Sequence, residues 1–65
     1  MKRDEYLYKK LERLVDHGVR LFLNGKPTTP DRVARKMAAG EEMYEPGFVY
    51  SDEGYLSELN YVRIA

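Results

Sequence analysis

No cysteine occurs anywhere in this 65-residue chain, so neither a disulfide nor a thiolate-bound zinc can supplement its core. Packing or self-association has to do that work, because a chain of this length sits near the lower limit at which one hydrophobic core is self-sufficient. No stretch approaches the roughly 18 consecutive apolar residues that read as a membrane span. The opening MKRDEYLYKKLERLVDHG carries charge throughout, where a secretory leader would need an apolar block. These absences point to a cytoplasmic protein that makes no use of a membrane. Repeats, low-complexity tracts and linkers are also missing, which leaves one small domain over residues 1–65.

Histidine is nearly absent too. His17 is the single copy, it falls where a helix should end, and an imidazolium there complements the helix dipole, so its expected role is structural. No nucleophile pattern accompanies it, and no H-E-x-x-H spacing exists. Glu41 and Glu42 are sequence neighbours that would lie on different sides of a helix rather than converge on a metal or a substrate. The segment NGKPTT has one glycine where a phosphate loop needs two at fixed spacing. The expectation is a non-enzymatic protein with no catalytic residue, no metal, no cofactor and no small-molecule substrate.

What is present is charge, and it is divided along the chain. Residues 1–36 hold ten of the eleven Lys and Arg residues against five acids, whereas residues 37–65 hold Glu41, Glu42, Glu45, Asp52, Glu53 and Glu58 against Arg63 alone. The net charge is zero. Mutual neutralisation of the two halves is the ordinary consequence. A two-signed surface that favours antiparallel self-association or an oriented partner is the sharper one.

Local signals fix the helices. Leu7, Leu11, Leu14 and Val15 form an amphipathic stripe behind a capping Asp4, and Gly18 after His17, with Val19 able to touch Leu14, is the chemistry of a Schellman end, which sets helix one at about Asp4 to His17. A second helix begins at Pro30 behind Thr29 and places Val33, Ala34, Met37 and Ala38 on one side; Gly40 either ends it or marks a kink before Pro46 stops any continuation. Between them, Val19, Leu21 and Leu23 alternate as a short strand. Asn24-Gly25 is a hairpin signal, but Pro27 should interrupt the return strand, so a loop is expected there.

The last quarter, FVYSDEGYLSELNYVRI, is harder to read. Ser51 to Gly54 suits a turn closing with a glycine of positive φ, which pairs Phe48 to Tyr50 with the segment from Tyr55 onward. In strict alternation neither set of that segment is uniformly apolar. A helix over Tyr55, Leu59 and Val62 is the rival, and β-prone Tyr61, Val62 and Ile64 favour the hairpin. The expected fold is α+β, with two helices on one face of a small, three-stranded antiparallel sheet in the order helix, strand, helix, hairpin.

Two helices cannot cover both faces of such a sheet. The uncovered face is expected to carry Tyr50, Tyr55 and Tyr61 with Glu58 and Arg63, as a surface for a protein partner or for a second copy in a homodimer. The alternative is nucleic acid: Arg32, Arg35 and Lys36 share one face of helix two, and the element order resembles a winged-helix DNA-binding domain. That resemblance implies a recognition helix at 30–39 and a hairpin wing. An acidic hairpin near phosphates and Asp31 among the cations argue for weak affinity instead.

Overall fold

Asp4 starts the first helix. A computed structural model describes residues 2–64. In it α1 (Glu5–Asp16) begins where the Leu7 N–H donates to the Asp4 carboxylate at 3.0 Å. The helix ends as the sequence implied. Gly18, at φ +93°, lets its own N–H reach the Val15 carbonyl while Val19 N–H reaches that of Leu14, the two bonds of a Schellman motif. α2 (Pro30–Ala39) is bounded with the same local chemistry: the Arg32 N–H donates to Thr29 Oγ1 at 3.2 Å, Pro30 opens the first turn, and left-handed Gly40 closes the last.

A hairpin, not a loop, follows the first strand. β1 (Arg20–Leu23) turns through Asn24 and Gly25, both at positive φ, into β2 (Lys26–Pro27). The expectation that Pro27 would prevent this is corrected by register. Pro27 faces Phe22, a position that exchanges no bonds with β1, while the next residue, Thr28, donates its N–H to Leu21 at 3.1 Å. The missing N–H of Pro27 therefore points off the free edge, and the strand simply stays two residues long.

The remaining strands are β3 (Tyr44–Tyr50) and β4 (Leu56–Arg63), paired antiparallel, so the hairpin forms and the rival helix does not. β3 starts four residues earlier than Phe48 and takes up most of EEMYEPG. The sheet has four strands in the order β2-β1-β4-β3. It is mixed rather than purely antiparallel, because β1 runs parallel to β4 with Leu21 beside Leu59. β4 is thus central, hydrogen-bonded on both sides.

A bulge explains the unclean pattern of the last quarter. Val49 pairs with Glu58 but Tyr50 pairs with Leu56, so Ser57 is the extra residue, and its hydroxyl donates to the Val49 carbonyl at 3.1 Å. The shift brings Leu56 to the same side as Leu59 and Tyr61. That side meets the helices: Leu11, Val19, Leu21, Val33 and Leu59 are buried together, with Leu7, Leu14, Met37, Leu56 and Tyr61 packed around them. The predicted α+β architecture, two helices on one face of a sheet, is what the chain adopts.

Arg3 ties the two helices together. Its guanidinium lies 3.6 Å from the Tyr8 ring centroid and donates to Glu5 on α1 and to Asp31 on α2, both at 2.6 Å. The Asp4 N–H adds a bond to the Ala34 carbonyl. These contacts set α2 against one flank of α1 and leave the other flank open.

Candidate functional site

Prolines mark both edges of the sheet. The Ile64 N–H donates to the Met43 carbonyl, which makes the odd-numbered residues of β3 the ones bonded to β4 and turns the even-numbered ones outward. Pro46 is among the outward ones, like Pro27 on the opposite edge, and so removes a donor from the free edge without harming the ladder. Tyr44, Phe48 and Tyr50 keep their outward N–H and C=O groups. β3 is therefore a seven-residue edge strand open to pairing along most of its length.

Its side chains are open as well. Phe48 is 52% exposed, Val49 47% and Tyr50 61%, with Met43 just before the strand at 65%, so apolar surface is presented on both faces and at the edge of one strand. Phe48, opposite Leu59, lies on the helix side; Val49, opposite Glu58, lies on the other. That outer face also carries Val62, 40% exposed, and Arg20, which sits 3.7 Å from Glu58 and over the Phe22 ring. Neither helix reaches over β3.

The three tyrosines expected on the uncovered face do not share it. Tyr61 packs against the core on the helix side, where burial pushes its hydroxyl above the usual tyrosine range. Register also puts Tyr50, opposite Leu56, on that side, at the open end of the hairpin where no helix covers it. Tyr55 precedes β4 and is 75% exposed. The bulge at Ser57 is what separates the observed arrangement from simple alternation. Sequence reading missed Met43, Phe48 and Val49; Pro46 inside a β-prone stretch was the available signal, since a strand proline implies an edge.

At the start of β3 the charges converge on Glu42. Its carboxylate accepts from Arg63 and from the Tyr44 hydroxyl and lies 3.7 Å from Lys36 Nζ. The Arg63 hydrogen bond, then the one from Tyr44, hold its carboxyl below the usual glutamate range. Asp31 is lowered likewise, first by Arg3 and then by Arg35. Both groups have a folded-state pKa below the unfolded one, so their contribution to stability is complete above the ordinary carboxylate range and is lost as pH falls through the depressed values. The thermal midpoint is expected to hold from pH 7 to about 5 and to drop below about 4. Glu42→Gln should shrink that drop. An equal drop in the variant would remove Glu42 from the explanation.

Arg32, Arg35 and Lys36 do line one shallow concavity on the outer face of α2, with Asp31, Ala39 and Glu41. Arg35 Nε is held by Asp31 at 2.9 Å and Lys36 faces Glu42, which neutralises much of the cluster. His17 Nδ1 lies 2.7 Å from the Arg13 carbonyl, to which it donates at the end of α1. Among the described residues no group of three or more His, Cys, Asp or Glu side chains could hold a metal ion, and no helix is long and apolar enough to cross a membrane. Set against protein-family models, curated proteins and solved structures, the chain matches none of them.

Proposed function

We propose that this chain is a non-enzymatic interaction protein whose binding surface is the β3 side of the sheet, and that its partner there is a second copy of itself. The observation that carries this reading is β3: a seven-residue edge strand, unpaired outward, with exposed apolar side chains on both faces. Natural edges are usually shortened or charged, as β2 is at the far side of the same sheet.

Self-pairing about a two-fold axis at Gly47 satisfies this edge. Tyr44 then faces Tyr50 of the copy and exchanges both backbone bonds, and the Phe48 N–H donates to the Pro46 carbonyl opposite it. Gly47 faces Gly47 in the closer, non-bonded pairing, where the absence of a side chain lets the backbones approach. Glu45 faces Val49, so no like charges meet. Two-fold pairing is the commonest closed arrangement, and it supplies burial that a short chain without cross-links lacks. The cytoplasm is the compartment this reading assigns, where a chain with no cysteines forgoes nothing. Nucleic-acid binding through α2 draws less support, because Asp31 and Glu42 already engage Arg35 and Lys36.

Sedimentation at micromolar concentration is expected to give twice the 7.6 kDa chain mass. Val49→Glu sets a carboxylate against Glu45 of the copy and should yield monomer; adding Glu45→Lys should restore the dimer. A wild-type monomer overturns the reading. So does a dimer indifferent to Val49→Glu.

A further inference from the structure

On the helix side of the same strand lies a groove of about 200 Å³ between α1 and β3, lined by Leu7, Leu11 and Leu14 of α1 and by Pro46, Phe48 and Tyr61 of the sheet, with Lys10 on its rim. It occupies the place where a third helix of the helix layer would sit. α2 takes the flank of α1 that carries Tyr8 and Arg3, and the opposite flank has no neighbour. At about 100° per residue, that open flank of α1 presents Lys10 and Arg13 beside Tyr6, while Lys9, Asp16 and Glu5 project from the side of the helix away from the sheet. Tyr6, Lys9, Lys10 and Arg13 indeed line one adjoining hollow. The groove is thus apolar at its floor, with Lys10 on its rim and further cations in the hollow that Lys10 shares with it.

We propose that this groove docks an acidic amphipathic helix of another protein. The floor takes an apolar stripe spaced i, i+3, i+4 and i+7, and the rim takes carboxylates on the neighbouring face. A helix seated there would lie about 8–10 Å from α1, the usual spacing of packed helices. The α1 side of the groove runs from Leu7 to Leu14, about two turns, which sets the minimum length of the docked segment. A second copy of this chain does not fit the description, because α1 and α2 of the copy have their apolar stripes buried in their own core. The groove uses the helix-side side chains of Pro46 and Phe48, whereas edge pairing uses the outward N–H and C=O groups of the same strand, so the two surfaces adjoin but engage different groups.

The test is an NMR titration of the full chain with two synthetic amphipathic helical peptides sharing a leucine face, one with glutamates on its polar face and one with lysines there. The glutamate peptide is expected to bind and to shift the amides of Leu7, Leu14, Phe48 and Tyr61. Lys10→Glu combined with Arg13→Glu should weaken it about tenfold or more and transfer the preference to the lysine peptide. Both substitutions are on exposed positions, and sedimentation of the double variant reports whether the edge dimer persists independently. Equal affinity for the two peptides overturns the proposal, as do shifts confined to other surfaces. Capture by phosphatidylserine vesicles with no binding of the glutamate peptide overturns it in favour of an anionic membrane.

Discussion

Leu11→Ala is expected to remove a large share of the chain's stability at 25 °C. Leu11 is 1% exposed and stands at the centre of the cluster that joins α1 to Val33 of α2 and to Leu21 and Leu59 of the sheet. Removing a buried leucine down to its Cβ costs about 2–5 kcal/mol, the lost transfer energy plus the cavity left behind. A domain of this size has on the order of 3–10 kcal/mol in total. Collapse around the cavity is limited, since Leu11 is approached by two layers that are each held by hydrogen bonds elsewhere. The comparison is Val15→Ala on the same helix, where the side chain is 41% exposed and alanine is the better helix former; its effect should stay within about 0.5 kcal/mol. Urea melts followed by far-ultraviolet circular dichroism read both. Equal midpoints for the two variants would mean that the cluster is not where the stability resides.

If the chain pairs through β3, the apparent cost of Leu11→Ala depends on protein concentration, because mass action adds the association energy to the folded side. Midpoints measured at two concentrations then separate folding from pairing. Val49→Glu, which lies on the outer face away from the cluster, should abolish the concentration dependence while leaving the monomer's own midpoint close to that of the parent.

Elements whose signals are local were legible in the sequence. Asp4, Gly18, Thr29, Pro30 and Gly40 each act on backbone groups within a few residues, so the helix bounds followed from residue chemistry alone. The sheet was legible only in outline. Whether β1 pairs parallel or antiparallel with β4 depends on how α2 returns the chain, and no residue in β1 records it. The bulge at Ser57 was hidden because alternation was read through it. With the register shifted there, Leu56, Leu59 and Tyr61 form one face and Glu58, Asn60 and Val62 the other, and both faces become consistent. The candidate surface moved for the same reason. A face of tyrosines was expected from parity, whereas the exposed apolar residues cluster on the edge strand that Pro46 announces.

The turn at Asn24 and Gly25 carries the second large effect. Asn24 holds φ +52°, donates its N–H to the Tyr61 carbonyl at 2.8 Å and accepts the Arg63 N–H on Oδ1 at 2.9 Å, while Asn60 Oδ1 accepts the Gly25 N–H at 3.0 Å. One turn therefore caps β1, starts β2 and extends the parallel ladder with β4. Asn24→Val meets two penalties. A β-branched side chain in the left-handed region is strained by about 1–2 kcal/mol, and the Arg63 N–H loses its acceptor at a further cost of about 1–3 kcal/mol where water cannot replace it. Asn24→Gly separates them, because glycine takes positive φ freely and lacks only the acceptor. Asn24→Asp keeps both the conformation and the acceptor and should lie closest to the parent. The expected order of melting midpoints is parent, Asp, Gly, Val. If glycine instead equals the parent, the Arg63 bond contributes nothing and strain alone explains the valine; if valine equals glycine, the turn relaxes without strain and the β1 to β4 register is held by the core leucines rather than by the turn.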